Sequence, residues 1–182
     1  MPAQKRMATR LESADVIHSF WVPQLSRKMD MTPGFPTQLV LQANHPGVFS
    51  GACSEYCGAE HAWMLLRVVV QTQADYDAWI AGQRRPPAMP TSGQLGQGLD
   101  VFKSKTCISC HALGELGKHV GPDLSHVGSR ETLGAGILSN TPDNLAKWLR
   151  DPQGVKPGIL MPNVQLSEDE VQALVAYLES LK

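Results

Sequence analysis

The stretch Cys53-Ser54-Glu55-Tyr56-Cys57-Gly58-Ala59-Glu60-His61-Ala62-Trp63-Met64 constrains this chain more than any other. It sets two thiols, an imidazole and a thioether at intervals of four, four and three residues. These are soft or borderline donors, which select copper or zinc over magnesium or calcium. An electron-transfer copper takes imidazole and thiolate in its strong positions and a weak axial ligand, such as Met or a backbone carbonyl. One such copper needs one Cys. Two thiolates suit two metals that share them, provided a second imidazole arrives from elsewhere, and His18 in Asp15-Val16-Ile17-His18-Ser19-Phe20-Trp21-Val22-Pro23 is the candidate. A disulfide between Cys53 and Cys57 explains neither His61 nor Met64, and structural zinc rarely uses Met.

The other two cysteines lie in Cys107-Ile108-Ser109-Cys110-His111. Cys-x-x-Cys-His is the attachment motif of c-type haem. The thiols would form thioethers with the vinyl carbons, and His111 would become an axial iron ligand. A redox Cys-x-x-Cys would want a βαβ context, and a zinc knuckle would want a second Cys/His pair where only isolated His119 and His126 occur. The second axial ligand of such a haem is a soft donor downstream, since Met/His ligation raises the potential of a cytochrome c. Met161 is the only methionine after Met89, and Pro157, Gly158 and Pro162 frame it in a loop rather than on a helix face.

Composition excludes other classes. Sixteen basic and seventeen acidic residues in 182 leave a net charge of −1, so no nucleic-acid footprint is present. Two close cysteine pairs argue for two metal or cofactor sites rather than a disulfide framework. No apolar run approaches the ~20 residues that span a bilayer. The opening Met-Pro-Ala-Gln-Lys-Arg lacks the apolar core of a signal peptide. Sites of these two kinds are assembled outside the cytoplasm, so the expectation is the extramembranous part of a larger or processed subunit, or a chain held by partner subunits.

In chain order, Met7 to Ala14 alternates with the period of a half-buried strand, and Asp15 to Val22 continues as an aromatic and β-branched segment. Gln24 to Gly34 reads as a loop, Pro36 to Gln42 as a strand, His45-Pro46-Gly47 as a turn, and Met64 to Val70 as the strand leaving the ligand stretch. Thr72 caps a helix over Gln73 to Ala81, with Tyr76, Trp79 and Ile80 on one face. The Pro-rich segment 83–92 reads as a semi-extended linker. It divides a β domain at 1–82 from a helical domain at 93–182. The latter opens with a helix from Gly93 to Lys105 that carries Leu95, Leu99 and Phe102 on one face, with Gly96 and Gly98 allowing close approach. Thr141-Pro142 starts a second helix with Leu145, Trp148 and Leu149. Ser167-x-x-Glu170 is a capping box opening a third, with Val171, Leu174, Val175, Leu178 and Leu181 on one face.

From about Met1 to Trp79 the chain resembles the dinuclear copper (CuA) domain of cytochrome c oxidase subunit II, carried by Val16-Ile17-His18-Ser19-Phe20-Trp21-Val22-Pro23 and by Cys53-x-Glu55-x-Cys57-x-x-x-His61-x-x-Met64. The resemblance implies an all-β cupredoxin-like Greek-key sandwich, with family strands upstream of the position of Met1. It implies that Cys53 and Cys57 bridge both coppers, one taking His18 and Met64, the other His61 and the Glu55 carbonyl. From Gly93 to Lys182 the chain is similar to an all-α class I cytochrome c domain. There the Pro122 carbonyl orients the His111 ring, and Arg130 and Trp148 are expected haem-propionate partners, Arg130 being equally readable as a solvated charge.

This order of domains resembles subunit II of caa-type haem–copper oxidases. It implies an electron path from an external cytochrome or other small donor protein to haem c, to the dinuclear copper, and on to haem a of catalytic subunit I, which reduces oxygen to water. It further implies a location on the periplasmic or outer face of the bacterial inner membrane, held through partner subunits or an anchor. The Glu55 side chain is expected to serve a magnesium site at the boundary with the catalytic subunit. A subunit of a copper-containing nitric oxide or nitrous oxide reductase, a Cys-x-x-x-Cys copper chaperone, and a freestanding soluble electron carrier are the competing readings. Nitrous oxide reductases typically carry Trp where Glu55 stands, and a chaperone has no use for Met64 or a haem motif.

Overall fold

The computed structural model describes every residue from Met1 to Lys182. The chain divides into two compact units, Met1–Ala81 with Ala135–Ile137, and Gly82–Gly134 with Leu138–Lys182.

The first unit is built on strands. They are β1 (Met7–Leu11), β2 (His18–Trp21), β3 (Met29–Met31), β4 (Thr37–Leu41), β5 (Gly47–Cys53) and β6 (Leu65–Val70). One sheet has the order β3-β2-β5-β6, and β1 pairs with β4 in a second. Every pairing between these strands is antiparallel. Alternation does what the sequence pattern requires. Leu11, Leu39 and Leu41 turn inward to one cluster, with Phe20, Leu25, Met29 and Met31 packed against it. Val22, Ala43, Phe49 and Val70 form a second, which Phe20 also touches. Each such apolar side chain taken out of water stabilises the unit by about 1.5–3 kcal/mol.

Strand β3 falls inside the segment expected to be a loop. Met29 and Met31 alternate with Asp30, a period too short to register against the polar residues on either side, and their packing on the Leu11 cluster supplies the missing drive. Helix α1 (Gln73–Gln83) forms as expected, its Thr72 hydroxyl accepting from the Asp75 N–H at 3.2 Å. None of its residues is buried, however, and the Tyr76–Trp79 pair stacks at 5.8 Å on a face that stays accessible.

The second unit is mainly helical. Helices α2 (Gly93–Ser104), α3 (Pro142–Arg150), α4 (Pro152–Val155) and α5 (Glu168–Ser180) surround one core. Four two-residue strands make two small ladders that the sequence pattern does not announce, β7 (Ala112–Leu113) with β8 (Leu116–Gly117) and β9 (Thr132–Leu133) with β10 (Leu138–Ser139). The capping box is closed in both directions, the Ser167 hydroxyl accepting from the Glu170 N–H and Glu170 accepting from the Ser167 N–H at 2.8 Å. The Thr141 hydroxyl caps α3 through the Asn144 N–H, ahead of Pro142. Leu99 and Phe102 of α2 are buried, but Leu95 is 38% exposed. Tyr177 of α5 is fully buried, and its hydroxyl reaches out to donate to the Ala88 carbonyl at 3.1 Å.

The α2–α5 contact depends on Gly98, where a Cβ would stand 2.2 Å from the Ala173 carbonyl oxygen. That oxygen belongs to helix backbone and cannot swing aside. Gly98→Ala is therefore expected to force the helices apart and destabilise the unit by about 1–3 kcal/mol, the usual cost of overpacking. Thermal unfolding followed by circular dichroism reads this as a lowered midpoint, and an unchanged midpoint would show that the two helices are not in tight contact there.

Candidate metal and haem centres

The first centre is assembled by strand pairing. In the β2–β5 ladder Phe20 stands opposite Cys53, and the Ser54 N–H donates to the Ser19 carbonyl at 3.0 Å. This carries His18, at the start of β2, to a thiol 35 residues away in sequence. The ladder of β5 with β6 closes the base of the ligand stretch from Gly47↔Val70 to Ala52↔Leu65. At its mouth the Cys53 N–H donates to the Met64 carbonyl at 2.9 Å. A 3-10 turn, His61–Trp63, then sets His61.

The structure brings His18, Cys53, Cys57, His61 and the Glu55 carbonyl close together. The Cys53 and Cys57 sulfurs are 3.8 Å apart and not bonded to each other. His18 Nδ1 is 3.9 Å from the Cys53 sulfur, and His61 Nδ1 is 3.7 Å from the Cys57 sulfur. The donor atoms of His18, Cys53 and Cys57 all lie within 4.8 Å of one another. The Glu55 carbonyl oxygen is 3.3 Å from the Cys53 sulfur, so its backbone faces this cluster. Two soft sulfurs flanked by two imidazoles, with a carbonyl on one side, fit a thiolate-bridged pair of coppers.

Two supporting residues escaped the sequence pattern. The Asp15 carboxylate meets Nε2 of His18 at 2.8 Å, which fixes the ring and leaves Nδ1 facing the thiols. The imidazole in turn holds the Asp15 carboxyl down at about 2. Its spacing three residues before His18 is the one signal that could have pointed to it. The Lys28 ammonium donates to the Ser54 carbonyl at 3.0 Å and stands 3.5 Å from the Glu55 carboxylate. A carboxylate beside thiolates needs a cation, and here a lysine provides one; nothing local to Lys28 marks it for that task.

The thiols are unequal. Burial opposes ionisation of Cys53, but backbone bonds at Glu55 and Ser19 and the two imidazoles outweigh it and bring the thiol down to about 6. Cys57 is pushed up from the ordinary 9.0 by burial and by its bond to Cys53. The pair thus carries one proton between the two steps. In the metal-free chain, 13Cβ chemical shifts are expected to move at Cys53 near pH 6 and at Cys57 only above the ordinary thiol range. Both moving together near pH 9 would contradict the asymmetry.

The second centre lies in the second unit. A 3-10 turn at Cys107–Ser109 follows Thr106 in the left-handed region (φ 64°), and the Cys107 carbonyl accepts from both the Cys110 and His111 N–H groups. The turn presents both thiols, neither in a disulfide. His111 Nδ1 donates to the Pro122 carbonyl at 2.7 Å, leaving Nε2 free for iron. Gly121 makes room for the ring: a Cβ there would stand 2.7 Å from His111 Cε1. Burial raises the Cys107 thiol. The arrangement fits a haem held covalently on one side and by imidazole on the same edge.

Trp148 departs from the expectation of a propionate partner. Its Nε1–H points to the Met161 sulfur at 3.3 Å, so the indole donor is committed to the thioether rather than to a carboxylate. Arg130 donates to the Asp123 carbonyl through its guanidinium, on an exposed surface. His45 sits in its turn against Phe49, at 5.9 Å between rings, away from both donor sets.

Comparison with known proteins matches the two halves of the chain to two families. Residues 1–72 match the family model of the cytochrome C oxidase subunit II periplasmic domain, and residues 95–182 match that of cytochrome c. Over the whole chain it is 42% identical to cytochrome c oxidase subunit 2 of Alkalihalophilus pseudofirmus and 35% identical to that of Bacillus sp. (strain PS3), covering 53% and 54% of those proteins. The chain thus spans about half the length of the curated relatives it matches. Among solved structures, the periplasmic domain of subunit II of cytochrome oxidase (CoxB) of Bradyrhizobium japonicum is 33% identical, with a TM-score of 0.44 over 44% of this chain and 59% of that one. The chain joins a periplasmic domain of the cytochrome c oxidase subunit II family to a cytochrome c domain.

Proposed function

We propose that this chain is the electron-entry part of a haem–copper terminal oxidase. On this reading Cys53 and Cys57 bridge two coppers, with His18 and Met64 completing one and His61 and the Glu55 carbonyl the other. Cys107 and Cys110 hold a covalent haem whose iron takes His111 and Met161, with Pro122 orienting His111 and Arg130 facing a propionate. Such groups, when bound, supply one-electron transfer without large rearrangement of their ligands. The residues do the rest. Asp15 holds His18, Pro122 holds His111, and Trp148 holds the Met161 sulfur, so each ligand is set before any metal arrives.

The observation that carries this reading is the pair of unbonded sulfurs 3.8 Å apart, each within 4 Å of an imidazole nitrogen, on a chain that also carries Cys-x-x-Cys-His. The partners proposed are the catalytic subunit I of the oxidase and an external cytochrome or other small donor protein, on the periplasmic face of the inner membrane. No helix of the chain is long and apolar enough to cross a membrane, so the catalytic subunit or further sequence would hold it there. On this reading the copper domain (1–82) and the haem domain (93–182) are tethered through 83–92, a segment that groups with the second unit and whose Ala88 carbonyl accepts from Tyr177, and tethering raises the effective concentration of one domain at the other.

Glu55 has two separate tasks on this reading. Any residue type could supply its carbonyl, so the side chain needs another reason. A hard divalent ion such as magnesium takes carboxylate oxygen and keeps several waters. We assign the Glu55 carboxylate to such a site at the boundary with the catalytic subunit, where it would exchange Lys28 for the ion. The test begins with elemental analysis and pyridine haemochrome spectra, which are expected to give two coppers and one covalent haem per chain. Glu55→Gln should keep both coppers and a near-native copper spectrum, yet weaken divalent-ion binding in the assembled complex and slow electron transfer out of the copper domain. One copper per chain would refute the bridged pair, and loss of copper from the variant would refute the division of tasks.

A further inference from the structure

Met161 lies in a segment, 156–165, that forms neither helix nor strand. Leu160, next to Met161, is 99% exposed, and Ile159, Met161 and Val164 are only half-buried. Polar bonds from neighbouring helices hold the segment. The Gln153 side chain of α4 is the centre of them. Its amide nitrogen donates to the carbonyl of Ile159 and to that of Met161, the latter at 3.1 Å. Its amide oxygen accepts from the Gly158 N–H at 3.4 Å. One side chain thus ties three backbone groups within four consecutive residues. Gly158 itself is in the left-handed region (φ 96°), the turn that brings the chain back over α4. Further along, Asn163 Nδ2 donates to the Arg150 carbonyl at 2.9 Å. Trp148 completes the set from α3, at the sulfur.

The two Gln153 donations differ in kind from the other ties. They reach the residue that carries the thioether and its second neighbour, so the segment cannot swing away without breaking both. Each terminates a carbonyl that would otherwise compete for water. A glutamine is suited to this because its amide offers two donors and an acceptor in one plane. A carboxylate in the same place could accept from Gly158 but donate to neither carbonyl.

We propose that Gln153 is a positioning residue that clamps the Met161 loop closed over the sixth coordination position of the haem, so that small external ligands are kept from the iron. This rests on the reading of Met161 as the axial ligand. The clamp acts through backbone bonds alone and touches neither haem nor iron. Its consequence is an electron-transfer haem that stays six-coordinate although its ligand sits on an exposed loop. Opening the loop breaks the two amide donations, and a net hydrogen bond changes such an equilibrium about fivefold.

The experiment titrates the oxidised, haem-loaded full chain with imidazole and follows the near-infrared sulfur–iron charge-transfer band. In the natural chain the band is present and imidazole displaces it weakly. Gln153→Ala, which removes both donations, is expected to bind imidazole about 25-fold more tightly. Gln153→Glu, which keeps the size and the acceptor but loses both donors, should also bind imidazole more tightly than the natural chain. A band already absent from either variant without imidazole supports the clamp in its stronger form. Equal imidazole affinity in all three chains, with the band intact, overturns it. So does a fall in the thermal midpoint that alone accounts for the affinity gain, since Gln153 would then be a general stabiliser. A natural chain that lacks the band overturns the Met161 assignment first, and the clamp with it, which separates the two failures.

Discussion

The pairing of β2 with β5 is the interaction on which the first centre depends. Cys53, Cys57, His61 and Met64 come from one continuous stretch, but His18 does not. It is delivered by a ladder in which Phe20 faces Cys53 and the Ser54 N–H reaches the Ser19 carbonyl. A register slip of one residue would turn His18 to the opposite face of the sheet. The register is held by the buried clusters behind it, since Phe20 packs against both. Fold stability and donor geometry are thus one constraint in this unit, and the second imidazole is only as well placed as Phe20 is buried.

The second unit solves the same problem with local bonds. A turn sets Cys107, Cys110 and His111, a glycine clears space for the ring, and the next residue's carbonyl fixes its tautomer. The Met161 loop is held by the side chains of Trp148, Gln153 and Asn163. Hydrogen-bonded networks of this kind specify one arrangement when every member is satisfied. Beneath both loops lies an ordinary helical core, which positions them through α2 against α5 and α3 beside α4.

What the sequence made legible follows from the range of each interaction. Ligand types and spacings are local, so most of the expected donors could be read from two short stretches, His18 and Met161 excepted, and helix caps such as Ser167 with Glu170 were legible for the same reason. Strand β1 announced itself through alternation, β2 through aromatic and β-branched residues, and β4 and β6 as short runs bounded by turns. Strand β3 did not, because three residues hold little more than one period and the packing partners of Met29 and Met31 come from elsewhere. Leu95 shares the apolar spacing of Leu99 and Phe102 yet stays 38% exposed. Trp148 was assigned to a propionate because its type suits that task, whereas the donor direction is set by how α3 meets the Met161 loop. Asp15, Lys28 and Gln153 are polar residues in polar surroundings, and only the folded chain shows what they hold.

The central claim is that the two centres serve one electron path within one chain. Rapid mixing of the copper- and haem-loaded chain with a donor that reduces only the haem tests it most directly. The account predicts that haem absorbance rises first and then decays as the copper band bleaches, at a rate independent of protein concentration. A copper bleaching rate that scales with concentration would contradict it, because the electron would then be passing between molecules.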